Sequence, residues 1–517
     1  MNLYTKRTLL ALTVAAAMGV TSAQAAETHR VNVNQAGEAN VADVSQTDQR
    51  HEAELTVTGD SNSTIVSQDG VWTESYNTVS GDSNSVNINQ TDTWHTSRVT
   101  VTGNENTVDV QQNDFLNIND VVITGDSNTA DIEQDGFINS ADTTITGADN
   151  NVRLYQLGSN ASIVEMNGNA NTADIDQQGS DNLAVFRVTG NDNDAVIVQE
   201  GNSNQAGEVA LDNTANVGNN NDITISQLGD SNFAAAKGIQ GDNNSFEAFQ
   251  TGDSNVAFVY SLTGNNNGFA IEQEGNENVA DLRFVNGDRN DAEIFQQGNN
   301  NTVGEPQVAI VDGNNNELEI EQTGNSNAVD FAVVGDDNNV YLEQDGNSNL
   351  AQFIAQGTDN LMLLESHGDN NEVYSFAIGD DNNIDVDQEG NSNFGYVDIT
   401  GNDNEVDLEQ EGDQHEANIT IAGNNNTDVE VTQRGELNLV DLLISGDENT
   451  ADIMQTGIGN WVGGTEGGAF SVDGSGNSLT IVQNGNDNLV TGSQTGTGHT
   501  IDVTQNGNDN FVNVVQN

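Results

Sequence analysis

Amides hold the fixed positions of this chain, in the place where an enzyme would carry acids, bases or nucleophiles. Gln68, Gln90, Gln112, Gln134 and Gln156 fall every 22 residues. Gln177, Gln199, Gln227, Gln250, Gln273, Gln296, Gln322, Gln344, Gln388, Gln410, Gln433, Gln455, Gln483 and Gln505 extend the series toward the C-terminus. A primary amide both donates and accepts, so like amides brought into a column can pair with the one above and the one below. That pairing satisfies a group which is costly to bury alone. Gly59, Gly81, Gly103, Gly125 and Gly147, with Asn62, Asn84, Asn106, Asn128 and Asn150, keep the same step in the other half of each unit. Catalysis has no comparable foothold: His29, His51, His95, His367, His415 and His499 share no evident register, and acid pairs occur in nearly every unit. A property of every unit is structural, so no enzyme, metal centre or cofactor is expected.

Elements that place amides this way must repeat with the same step. Each 22-residue unit has two related halves, one opening Gln-x-Gly-x-x-Asn, as in Gln322–Asn327, the other opening Gly-Asn/Asp-x-Asn. Gly and Asn tolerate positive φ, so each Gly-x-x-Asn reads as a tight turn. Between turns the chain alternates: Ala130, Ile132 and Gln134 share one face, and Thr129, Asp131 and Glu133 the other. The unit is strand, turn, strand, turn. Stacked units make an all-β β-solenoid of roughly 22 coils and about 100 Å in length at the usual strand spacing. Extra residues near 205–217, 302–312 and 460–473, each with Gln-ending halves of regular length on either side and the middle one containing Pro306, read as small corner insertions in a single domain spanning 26–517.

Bulk composition taken alone suggests a disordered acidic polymer, with 34% hydrophobic residues and a formal net charge of -70. Periodicity overturns that reading by pooling the few apolar residues into one narrow core. Residues 1–25 have the charged, apolar and small-residue order of a secretory signal, with cleavage expected after Ala25. No later stretch has the length of a membrane span. The absence of cysteine removes disulfides and thiolate metal sites. So acidic a surface excludes nucleic acid and points to loosely held divalent cations as small partners.

Three outward columns add detail. Asp407 and Glu409, or Glu319 and Glu321, stack on like charges; one such contact costs about 0.9 kcal/mol in water before screening, against about 1.5–3 kcal/mol gained per buried Ile or Leu. Low pH, salt or Ca²⁺ is therefore expected to promote stability and association. Thr56/Thr58, Thr78/Ser80, Thr100/Thr102, Val122/Thr124 and Thr144/Thr146 form an array similar to ice-binding faces, although β-branched residues suit any exposed strand. Trp72 and Trp94, followed at the same step by Leu116 and Ile138 and flanked by Phe115 and Phe137, make an apolar corner that would shield the first coils or bind a ligand.

These units resemble curlin repeats, the secreted amyloid subunits of curli fibres. The family pattern Ser-x5-Gln-x-Gly-x-x-Asn-x-Ala-x3-Gln is matched from its first Gln by Gln35, Gly37, Asn40, Ala42 and Gln46. Its core returns at Gln177/Gly179/Asn182/Ala184, Gln227/Gly229/Asn232/Ala234 and Gln273/Gly275/Asn278/Ala280, among others. Apolar residues such as Phe284 and Val333 replace the second Gln, which implies a drier core. The resemblance implies a fibre subunit for adhesion and biofilm matrix, self-association, and curli-type secretion and nucleation partners. Family members carry a Gly-rich leader read by their secretion pore, and none precedes Val31. Val512, Val514 and Gln516, in an uncharged last strand, are the expected fibre-end edge. The rival readings are a monomeric ice-binding or cation-binding solenoid and a surface adhesin.

Overall fold

The computed structural model describes residues 29–207, 216–304, 309–465 and 467–517. The expected signal at 1–25 and Pro306 lie outside the described residues. Every regular element among the latter is a β-strand, and all pairings are parallel between successive coils. The protein is an all-β solenoid of about 22 turns. Each coil contributes one strand to each of two stacks. One stack runs from Val41–Gln49 through Ser63–Val71 and Ser85–Thr93 to Thr500–Asn506 and carries the periodic glutamines. The other runs from Arg30–Ala36 through Glu52–Thr58 and Glu74–Ser80 to Phe511–Gln516 and carries aliphatic residues at the matching depth. We call them the Gln sheet and the aliphatic sheet.

Alternation decides what each strand buries. In Thr129–Asp135 the side chains of Ala130, Ile132 and Gln134 are wholly buried, while Asp131 is exposed. Two such inward faces oppose each other across a core only as wide as paired side chains, so a low apolar content suffices once it is in phase. Rungs superpose residue on residue: Gln68 lies on Gln90, and Val57 on Val79.

The turns follow a different rule from the one that composition suggests. Positive φ occurs at Gly59 (φ 111) and again two residues later at Ser61 (φ 60), but not at Asn62. Ser83, Glu105, Ser127 and Asp149 take that second position in the next coils. Asn is therefore selected for its side chain, which points inward, and the backbone twist falls on its neighbour. Glycine is obligatory for another reason. A Cβ on Gly81, at φ 123, would overlap the carbonyl oxygen of Gly103 in the next coil.

The three long insertions fall in the aliphatic sheet, whereas the Gln sheet absorbs a single extra residue, at Asp428 (φ 57) before Val429–Glu436. Its strands are interrupted between Gly207 and Asn216, between Val303 and Ala309, and between Gly463 and Phe470. The Gln sheet passes these levels intact, with Gln199 on Gln227, Gln296 on Gln322 and Gln455 on Gln483. One expectation fails here. Phe284 does not dry the core: it is 49% exposed, and Val285 fills the inward position at 1%. A bulge between Leu282 and Phe284 shifts the alternation by one residue, which moves each following side chain to the other face. Val333 does lie in the core, at 1%.

Candidate functional site: amide ladders and open strand edges

The buried glutamines form a hydrogen-bonded ladder with one polarity. Gln46 Nε2 donates to Gln68 Oε1 at 2.7 Å, Gln68 to Gln90 at 2.8 Å, and Gln90 to Gln112 at 2.8 Å. The second Nε2 hydrogen crosses the core to a backbone carbonyl, as from Gln90 to Glu74 at 3.0 Å. Gln134, Gln156, Gln177, Gln199, Gln227, Gln250, Gln273, Gln296 and Gln322 repeat this arrangement, each donating to the glutamine of the next rung. The ladder resumes through Gln388, Gln410, Gln433, Gln455, Gln483 and Gln505. It is interrupted at Ser366. There Ser366 Oγ reaches Gln388 Oε1 at 3.3 Å, while Gln344 Nε2 contacts only the Ala328 carbonyl at 3.4 Å.

Two asparagine columns line the turns. Asn84 donates its backbone N–H and its Nδ2 to Asn62 Oδ1 at 2.9 and 3.0 Å, and Nδ2 also to the Gly103 carbonyl at 2.7 Å. Asn106, Asn128 and Asn150 continue that column. The opposite turn carries a second one through Asn117, Asn139, Asn160 and Asn182. Each first-column asparagine thus ties its coil to both neighbours, and in the second column the amide also closes its own turn, as from Asn139 Nδ2 to the Asp135 carbonyl at 3.0 Å.

Histidine belongs to these columns, which corrects the expectation of no shared register. His51, His95 and His415 occupy asparagine positions of the second column, and His499 one of the first. His95 Nδ1 accepts the Asn117 N–H at 3.3 Å while its Nε2 faces the Thr91 carbonyl at 2.6 Å. His415 does the same between the Asn438 N–H and the Glu411 carbonyl. This geometry requires a neutral ring protonated on Nε2. Burial, the largest cause, holds His51, His95 and His415 below the usual imidazole range. The sequence signal was available: each of these three lies five residues after a ladder or ladder-type glutamine, Gln46, Gln90 and Gln410, and His499 lies three after Gly496.

Outward columns follow the same register. Asp385 stacks on Asp407, and Asp387 on Glu409. Asp387 is pushed up to about 6, chiefly by burial and then by Glu365 and Glu389. Burial and like-charged neighbours also raise Asp385, Asp407 and Glu321. Among the described residues no cluster of His, Asp or Glu has the arrangement of a metal centre. The Thr-x-Thr pairs superpose on adjacent rungs. Trp72 stacks on Trp94 at 5.2 Å, Trp94 lies against Phe115 at 5.4 Å, Phe115 stacks on Phe137 at 4.8 Å, and Arg50 caps the series 5.0 Å from the Trp72 ring. Trp72, Trp94, Leu116 and Ile138 all take positive φ, which bulky residues rarely adopt.

Both outermost described rungs present open edges. Arg30–Ala36 is exposed throughout, with Val31 at 49% and Val33 at 42%. Phe511–Gln516 keeps Val512, Val514 and Gln516 half-buried against the preceding rung. No helix among the described residues is long and apolar enough to cross a membrane.

Comparison with known proteins agrees with this architecture. The curlin associated repeat matches residues 125–158, 168–201, 218–248, 241–275, 313–346, 379–412, 401–427, 428–457 and 474–507. No curated protein matches the chain. Curlin repeats are structural units without a catalytic role, and they indicate a self-associating, curli-like subunit of the extracellular space or cell surface. The matched stretches cover more than half of the sequence, and the chain belongs to the curlin associated repeat family.

Proposed function

We propose that the protein is a structural subunit of a secreted, curli-like amyloid fibre that grows end to end and serves adhesion and biofilm matrix. One observation carries this reading: an in-register parallel stack ends in strands whose backbone groups point along the axis with no described rung beyond them. Such an edge is a template for another strand unless charge, proline or a bulge blocks it. Phe511–Gln516 contains no charged residue and no proline. Electron microscopy of the purified mature chain with amyloid-dye binding tests the proposal. Unbranched, dye-positive fibres are expected, and a persistently unimolecular rod would refute it. Val512→Pro combined with Val514→Lys should slow elongation at least tenfold while leaving the β-sheet circular dichroism signal unchanged.

A surface adhesin is the second reading, favoured by the Trp72–Trp94–Phe115–Phe137 stack. The rings cover one another's faces, with Arg50 over Trp72, so the stack offers its outer edge and the exposed Phe137 at its end to a ligand such as a polysaccharide. Trp72→Ala with Trp94→Ala should then abolish binding to immobilised polysaccharide without altering fibre growth.

A further inference from the structure

The first inward column of the aliphatic sheet changes character along the rod. It reads Ala53, Ser75, Ser97, Asn119, Ala141 and Ser162 over six successive rungs. From Ala184 to Val512 the described rungs carry only Ala, Val and Gly there. The neighbouring inward column adds Asn77 and Thr143 in the same early stretch. These polar groups are buried. Asn77 Oδ1, Ser97 Oγ, both amide atoms of Asn119, Thr143 Oγ1 and Ser162 Oγ have no hydrogen-bond partner among the described residues. Each such atom weakens the rung that holds it. The corner of these rungs is strained as well, since Trp72, Trp94, Leu116 and Ile138 take positive φ where later coils mostly place Ser, Asp or Asn. In a stacked rod each rung depends only on its neighbours, so a run of weak rungs can open while the rest stays closed.

The column that fastens this corner also begins without amides. Successive coils place His51, Thr73 and His95 there before Asn117 starts the asparagine series. His51 Nδ1 accepts the Thr73 hydroxyl at 2.7 Å while its Nε2–H meets the Thr47 carbonyl, and His95 Nδ1 accepts the Asn117 N–H. Both rings are buried, at 1% and 0%. A proton on Nδ1 turns that acceptor into a donor, breaks the tie to the next coil and leaves a charge in the core. Asp48 and Asp69 face His51, Asp92 and Asp114 face His95, and all four favour the proton. Burial of both rings prevails over them, helped at His51 by the His29 ring stacked on it at 5.3 Å. Arg50, the cation of this corner, lies over Trp72. Both folded pKa values therefore fall below 6.5, and the stability that the neutral rings contribute is complete above that pH and lost as pH falls. Asp109 and Asp135, raised by burial, act in the opposite sense.

We infer that the rungs from Glu52 to Ser162 form an acid-opened section of the rod, which unfastens as one block when His51 and His95 take up protons while the coils beyond Thr172 stay closed. The aromatic corner and the Thr-x-Thr pairs lie inside this block, so acid dismantles both. The device acts within a single molecule and needs no fibre.

Hydrogen exchange of the full chain at pH 7 and pH 5, with opening constants corrected for intrinsic exchange, tests this. The reference is Glu317–Gln356, which contains no histidine. Opening of residues 52–162 should exceed the reference at pH 7 and rise at least a further tenfold at pH 5, since linkage allows up to about tenfold per pH unit for each histidine. His51→Asn/His95→Asn installs the residue of the regular column and should abolish that rise. Asn119→Ala should lower the opening constant at least tenfold at both pH values. An opening constant that is uniform along the rod, that stays the same between pH 7 and pH 5, or that rises equally in the double-Asn variant overturns the inference. So does a gradient that decays inward from Glu52, the mark of simple fraying, or an Asn119→Ala block that opens as readily as the parent.

Discussion

The two inward columns solve the same packing problem with different tolerance. In the Gln sheet one residue type recurs from Gln46 to Gln505, interrupted by Ser366. In the aliphatic sheet Val, Ile, Met, Leu and Ala alternate freely at equal depth. A hydrogen-bonded ladder needs both neighbours of every rung to be amides, since each member donates one way and accepts the other. An aliphatic column needs only volume and absence of polar atoms. All three large insertions interrupt the tolerant sheet.

The largest effect should come from breaking the strict column. Gln410→Leu conserves volume but strands the Gln388 donor and the Gln433 acceptor, and should cost about 2–5 kcal/mol. Chemical denaturation with hydrogen exchange should place the loss in the adjoining rungs; a loss below that of an aliphatic truncation would contradict the comparison. Repairing the column should do the reverse. Ser366→Gln rejoins Gln344 to Gln388 and should gain about 1–2 kcal/mol from two hydrogen bonds. In the tolerant column, Ile399→Val should cost only about 1 kcal/mol, read from the same denaturation curves.

The smallest effect is a pH dependence with two opposing parts. His415 has a folded pKa below its unfolded value of 6.5, so its contribution is complete above that pH and is lost as pH falls toward the folded value. Asp387, raised to about 6, acts oppositely: the folded state binds its proton more tightly, and stability rises as pH falls from about 6 toward 3.8. Thermal melts of His415→Asn and the parent should diverge between pH 7 and 5, the variant gaining relative stability. A constant difference would show that the His415 ring titrates alike in both states.

Period and alternation made most of the fold legible, because a 22-residue step and a two-residue step together assign nearly every side chain to a column and a face. The Gln ladder, the Thr array and the aromatic corner follow from that arithmetic alone. Three features escaped it for separate physical reasons. At Phe284 a bulge reverses parity, and alternation carries no mark of where the extra residue is absorbed. At the turns, Asn is common in positive-φ positions generally, so its propensity hid its role as a ladder member beside Ser61 or Ser83. His51, His95 and His415 were overlooked because histidine was compared with histidine, whereas the useful comparison was with the asparagine five residues after each glutamine.

The insertions have one more consequence, for what the rod shows to its surroundings. Ala206, Val303 and Val462 belong to a single column, and each interruption begins within one or two residues of it. Four rungs separate the first two and seven the last two, or about 19 and 34 Å along the axis. The points where the described aliphatic strands break off thus lie along one meridian of the rod, at intervals set by rung count. Foreign peptides spliced at those points would fly in a row with predetermined spacing, without touching the ladder that binds the coils together.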